Sequence, residues 1–239
     1  MIRLLGMSSP NVQKVHLMLE EVELPFAVER IDVWKGENFA PAFAALNPNR
    51  KVPVLIDDEG PDGNPCTVFE SGAILIYLAE KTGRFLARGG AARYAQLQWL
   101  AVQLSGVGPM FGQYTHFRLF APGHDYAENR YRTQAARVFE ALDERLGQAA
   151  YLGGGDYSIA DIATFPWTRD RTGKWGGNWD TYPNVRRWFA AVAGRPAARR
   201  MMAEMDKIWA ADRTSMADAP TELVDKILGR GDFTAPPRV

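Results

Sequence analysis

The residues able to do chemistry in this chain are few. One cysteine, Cys66, and three scattered histidines, His16, His116 and His124, stand among 239 residues. A lone thiol excludes an internal disulfide and a thiolate zinc site, and the histidines lack metal-ligand spacing, so no metal is expected. A thiol reaction run by such a chain must borrow most of its sulfur from a small molecule. The segment suited to receive one is Ser8-Ser9-Pro10-Asn11, which announces a helix over Val12 to Val22. A helix start exposes unpaired backbone N–H groups and the positive end of the helix dipole, and both stabilise a thiolate. Ser9 and Asn11 can each donate a hydrogen bond to that sulfur. The same residue types are ordinary helix caps, and this segment alone leaves both readings open.

The elements that must hold this helix start read as β-α-β-α-β-β-α. Ile2 to Leu5 is a short strand, Val12 to Val22 a helix with a buried face, and Phe26 to Val33 a second strand parallel to the first. A short helix follows over Pro41 to Leu46, ended by Asn47-Pro48-Asn49. A third strand spans Val52 to Ile56, a hairpin connection Asp57 to Pro65, a fourth strand Thr67 to Phe69, and a helix Gly72 to about Thr82. Past Gly83 strand signals cease and helical patterns take over, around Ala92 to Leu104, Tyr126 to Leu146, Ile159 to Arg169, Pro183 to Val192 and from about Ala197. The expected organisation is therefore an α/β domain over residues 1–85 and an all-helical domain over 91–213. Residues 214–239, rich in Gly and Pro, form an extension that is surface-draped or mobile.

Apolar residues at 46% and charged ones at 23% are ordinary for a globular protein. Lys plus Arg and Asp plus Glu balance at 28 each, so no net field draws the chain to nucleic acid or an anionic membrane. The first residues lack the pattern of a signal peptide and no apolar run approaches bilayer length, so the expected location is the cytoplasm.

Five words in register carry a family resemblance. They are Ser8-Ser9-Pro10-Asn11 with Lys14-Val15, Asn47-Pro48-Asn49-Arg50-Lys51-Val52-Pro53, Phe69-Glu70-Ser71-Gly72-Ala73-Ile74, Gly108-Pro109-Met110 with Gly112-Gln113, and Tyr157-Ser158-Ile159-Ala160-Asp161. Over about Met1 to Met205 the chain resembles the glutathione transferases, and within them the bacterial Nu class, which includes glutathione-dependent disulfide-bond reductases. The resemblance implies a thioredoxin-like N-terminal domain that binds glutathione as co-substrate, a helical C-terminal domain and a homodimer.

It further implies that Ser9 and Asn11 hold the glutathione sulfur, and that Pro53 is a cis proline leaving Val52 open to pair with the tripeptide backbone. Ser71 and its backbone N–H would bind the γ-glutamyl carboxylate while Glu70 meets its ammonium group. Asn38, Asn49 and Lys51 are further contacts by family position, although relatives often carry Gln where Asn38 stands. Arg130 resembles an arginine that reaches the glutathione of the partner subunit; a solvated helix face accounts for it equally well. Gln103, Gly108, Pro109, Met110 and Gln113 would face the cleft between domains, with Pro109 bending or interrupting its helix.

Ser158 and Asp161 have capping-box spacing and read as structural, with a loss on the order of 1 kcal/mol or more on replacing Asp161. Trp188 reads as core packing. Trp167, Trp175 and Trp179 could line a substrate pocket or pack a small core. Cys66, beside a strand and away from the helix start, has no expected catalytic role. The favoured reaction is reduction of a disulfide by two glutathiones without a protein cysteine. Conjugation, peroxide reduction or thiolytic ether cleavage at the same site is the alternative, and a non-catalytic interaction module is a third reading.

Overall fold

The computed structural model describes residues 1–169 and 180–234. Trp175 and Trp179 lie outside the described residues. The N-terminal domain comprises β1 (Ile2–Gly6), α1 (Pro10–Val22), β2 (Phe26–Arg30), α2 (Pro41–Leu46), β3 (Val54–Asp57), β4 (Cys66–Phe69) and α3 (Ser71–Thr82). Its sheet runs in the order β2-β1-β3-β4. β1 pairs in parallel with β2 and antiparallel with β3, and β3 pairs antiparallel with β4. The parallel β-α-β opening and the β3–β4 hairpin are those expected, and the thioredoxin-like sheet is the scaffold on which α1 and α3 lie.

α1 is the pivot of the molecule. Its apolar residues Val12, Val15, Leu17, Met18, Leu19 and Val22 are buried, but so are Gln13, Lys14, His16 and Glu21. A helix buried all round has neighbours on every side: here the sheet and α3 on one hand, and the helical domain on the other. β1 meets α1 so closely at the turn that a Cβ on Gly6 would stand 2.7 Å from the Val12 methyls, which explains the glycine there. Two ion pairs fasten the far end, a part-buried one in which Arg195 grips Glu21 through Nε and Nη2, and an exposed one between Arg200 and Glu20.

The helical domain comprises α4 (Gly90–Val102), a π-helical turn (Gln103–Val107), α5 (Gly108–Leu119), α6 (Asp125–Gln148), α7 (Ile159–Thr168), α8 (Pro183–Ala193), α9 (Pro196–Ala217) and α10 (Thr221–Leu228). The interruption expected at Pro109 takes the form of that π-helical turn, which widens the helix just before a residue with no N–H to donate. α7 and α9 both pack on α1, and one core runs through both domains, from Leu4, Val15 and Met18 to Phe165, Trp188 and Met201. Burial of each such large side chain contributes about 1.5–3 kcal/mol.

The Ser158–Asp161 capping box forms as read from the sequence, and the carboxylate does more than cap. It accepts from the Leu152 N–H at 2.9 Å, the Ser158 N–H at 3.0 Å and the Trp188 indole at 2.9 Å. Trp188 is fully buried, as core packing requires.

The helix expected from about Ala197 runs past Thr214 to Ala217, and α10 follows over Thr221–Leu228. The described part of the extension is thus draped over the surface, touching both domains. Lys226 lies 4.5 Å from the Phe39 ring centre, Leu223 packs on Gly36, and Arg230 donates to the Phe120 carbonyl at 3.2 Å.

Candidate functional site

The start of α1 is bare in the way that an anion site needs. Pro10 opens the helix without an N–H, no acidic residue stands in the first turn, and the Ser9 side chain makes no capping bond. The Ser9 carbonyl accepts from Val12 and Gln13, both at 3.0 Å, so the helix is closed by the backbone of Ser9 and not by its hydroxyl. Ser9 Oγ is buried and finds no hydrogen-bond partner among the described residues. A buried hydroxyl without a partner costs about 1–3 kcal/mol, and an arriving acceptor removes that cost. The Ser9 side chain is therefore not the helix cap that its residue type allows.

Asn11 is held from the opposite domain. Trp167, on α7, donates its indole Nε1–H to Asn11 Oδ1 at 3.2 Å. An indole is only a donor, so the amide must turn its oxygen toward Trp167 and present its NH2 group on the other side. Gly108 and Gly112 on α5 flank the indole, where a Cβ on either would make ordinary contact with its ring atoms at 3.5 Å or 3.8 Å. Trp167 packs against the core, one of the alternatives open for it in the sequence, and adds this contact between domains.

Ser8 is tied on both sides. Its N–H and hydroxyl donate to Asp212 Oδ2 at 2.8 Å and 2.7 Å, and its carbonyl accepts from Gln13 Nε2 at 2.7 Å. Asp212, buried on α9, also receives Arg30, which pairs in turn with Asp32, while Ser215 donates to the same Asp32 at 2.6 Å. Although burial opposes it, the hydrogen bonds from Ser215 and Arg30 hold the Asp32 carboxyl below the usual range. Asp212 gives no signal in the sequence, being one acid on a long helix.

The second expected cluster forms around the starts of β3 and α3. The Val52–Pro53 peptide bond is cis, and β3 begins only at Val54. Val52 therefore lies outside the sheet, and among the described residues nothing hydrogen-bonds its backbone. That open edge can accept an extended peptide. The loop before it is pinned from beneath: Asn38 Nδ2 donates to the Arg50 carbonyl at 2.9 Å, and Asn47 Nδ2 to the Lys51 carbonyl at 2.7 Å. Asn38 is buried with its Oδ1 unpartnered, so its donor positions the loop.

Asn49 donates to Glu70 Oε1 at 3.3 Å, joining the loop to the start of α3. Glu70 adopts φ 68° and ψ 113°, a conformation costing a side-chain-bearing residue on the order of 1–3 kcal/mol, of the kind that clusters at binding sites. Ser71 follows as the first residue of α3, buried, its hydroxyl accepting from Lys14 Nζ at 3.1 Å. Burial pulls the Lys14 ammonium down to about 7 against the opposing charge of Glu70.

Lys51 has an exposed side chain beside the cis proline. Arg130 lies exposed on α6, where no described contact joins it to the other candidate residues. Gln103 differs from expectation, being fully buried with its Oε1 on Lys14 at 2.7 Å, because an ammonium inside the protein needs an acceptor more than the cleft needs an amide. Gly108 is likewise buried, while Pro109 and Gln113 are exposed and Met110 packs against the core. Cys66 sits in β4, paired opposite Asp57. Among the described residues no group of three His, Cys, Asp or Glu could hold a metal, and no helix is long and apolar enough to cross a membrane.

Residues 8–81 match the profile of the glutathione S-transferase N-terminal domain, and residues 109–196 that of the glutathione S-transferase C-terminal domain. The disulfide-bond oxidoreductase YfcG of Escherichia coli is 44% identical over 203 residues, covering 82% of this chain and 92% of its own. A glutathione transferase family member from Pseudomonas fluorescens, solved with two glutathiones bound, superposes with TM-score 0.80 at 42% identity, covering 84% of this chain and 91% of that one. A glutathione transferase from Pseudomonas putida, solved with one glutathione disulfide per subunit, gives TM-score 0.79 at 37% identity, covering 84% and 90%. Matched in both of its domains and 44% identical to a relative over most of its length, the chain belongs to the glutathione S-transferase family.

Proposed function

We propose that the protein is a glutathione-dependent disulfide-bond reductase that uses two glutathiones and no cysteine of its own. The observation that carries this reading is the buried, unpartnered Ser9 hydroxyl beside an Asn11 amide whose NH2 group is turned away from Trp167, both at the start of α1. Two donors and a helix dipole favour the thiolate form of a thiol placed there. The similarity to YfcG, a disulfide-bond oxidoreductase, and to a structure holding glutathione disulfide supports the redox reaction over simple conjugation.

In this reading Val52 pairs with the tripeptide backbone, Ser71 and the start of α3 take its γ-glutamyl carboxylate, and Glu70 meets its ammonium group. Asn49 and Lys51 lie along the same loop, with Asn38 holding the loop from below. The first thiolate attacks one sulfur of the substrate disulfide, forming a mixed disulfide and releasing the other half as a thiolate. A second glutathione thiolate attacks the glutathionyl sulfur, giving glutathione disulfide and the second substrate thiol. The protein acts in the cytoplasm, as a homodimer in which Arg130 reaches the glutathione of the partner subunit.

The test is product analysis. Incubation of the protein with glutathione and a small symmetrical disulfide should yield one glutathione disulfide for each disulfide reduced, followed through glutathione reductase and NADPH. Turnover of halogenated aromatics or hydroperoxides without disulfide reduction would move the assignment to conjugation or peroxide reduction.

A further inference from the structure

Lys14 is buried to 1% exposure on α1, three residues after Asn11. Its ammonium donates to Gln103 Oε1 at 2.7 Å and Ser71 Oγ at 3.1 Å, and both acceptors are neutral. No described carboxylate forms an ion pair with it. Glu70 acts on it through space, but its Oε1 accepts from Asn49. The other ionised groups around α1 are engaged elsewhere: Glu21 with Arg195, Glu20 with Arg200, Asp212 with Arg30 and Ser8, and Asp161 with its cap and Trp188. A buried charge without a counter-ion is costly, and a methionine of similar shape would avoid the cost.

The direction of the bonds says what the charge is for. As an ammonium Lys14 can only donate, so in the charged form Ser71 Oγ is the acceptor and its own proton points elsewhere. A hydroxyl polarised in this way is a committed donor at the start of α3, where backbone N–H groups already favour an anion. We propose that Lys14 is the counter-charge for the carboxylate received at Ser71, a positioning residue that acts through the Ser71 hydroxyl and completes its ion pair only when ligand binds. This rests on the reading that Ser71 takes the γ-glutamyl carboxylate of glutathione. It also gives Gln103 a role, since the π-helical turn brings the acceptor that holds the ammonium from the helical domain.

Burial holds the free ammonium near 7, and an arriving carboxylate restores its charge, so binding above neutral pH should take up a proton. Calorimetry with S-methylglutathione, which has no thiol proton to release, in two buffers of different ionisation enthalpy measures this on the wild-type protein. The 4-aminobutyryl analogue, lacking only the γ-glutamyl α-carboxylate, should bind more weakly and without proton uptake. Lys14→Met should bind S-methylglutathione about 10- to 100-fold more weakly, the range of a charge-assisted hydrogen bond, and bind the analogue as wild type does. The inference is overturned if S-methylglutathione binds wild type without proton uptake, or if Lys14→Met weakens both ligands alike or neither. Failure of S-methylglutathione to bind wild type at all would instead overturn the glutathione reading, and this inference with it.

Discussion

The indole of Trp167 donates to the side-chain oxygen of Asn11 at 3.2 Å, so a residue of the helical domain sets which face of an amide the N-terminal domain presents. Asn11 alone could turn either its oxygen or its NH2 group toward a sulfur, and only the second stabilises a thiolate. Trp167→Phe keeps the ring against Gly108 and Gly112 but removes the N–H. Loss of one oriented hydrogen bond should lower kcat/KM by on the order of tenfold and raise the thiol pKa of bound glutathione, read from the ultraviolet absorbance of the thiolate. Unchanged activity and an unchanged titration would show that the amide needs no such support.

Asp161 is a buried hub. Replacement by Ala would leave the Leu152 N–H, the Ser158 N–H and the Trp188 indole without an acceptor. The expected loss is about 2–4 kcal/mol, above the single-cap value suggested by the sequence, and urea unfolding measures it.

Asp212 joins α9 to the turn before α1 through Ser8 and to β2 through Arg30. Asp212→Asn should destabilise the fold by about 1–3 kcal/mol in urea, less than a fully broken buried pair because Arg30 keeps Asp32. It should also lower disulfide turnover, since Ser8 immediately precedes Ser9. Stability loss with full activity would confine Asp212 to anchoring α9.

Lys14 makes ligand-free stability depend on pH. Its ammonium lies near 7 when folded and at an ordinary 10.5 when unfolded, so the unfolded chain binds more protons between those values. Its contribution therefore makes stability rise with pH across that interval, and in Lys14→Met that rise should be absent. Chemical denaturation at a series of pH values, without glutathione, compares the two proteins.

The order of elements was legible because the strands and helices of the N-terminal domain carry their own periods and breakers, as Ile2 to Leu5 and Pro41 to Leu46 do. The candidate site was legible only as short words, Ser9 with Asn11, Val52 with Pro53 and Glu70 with Ser71, whose role stands as proposed. What stayed hidden depends on contacts between distant segments. Nothing local marks Asp212 as the partner of Ser8, Trp167 as the partner of Asn11, or Gln103 as the acceptor for Lys14. Lys14 itself stood within a recognised word, yet its burial follows only from the packing of α7 and α9 on α1. α5 escaped separate notice because its apolar positions make no clean stripe, and the docking of α10 depends on Gly36 and Phe39 far up the chain.

The most direct measurement compares wild type, Cys66→Ser and a Ser9→Ala, Asn11→Ala double variant in glutathione-dependent reduction of one small disulfide. The account predicts that Cys66→Ser keeps wild-type kcat/KM, while the double variant, folded by circular dichroism, loses on the order of 100-fold or more for two donors removed from the sulfur. Loss of turnover in Cys66→Ser, or its survival in the double variant, would contradict it.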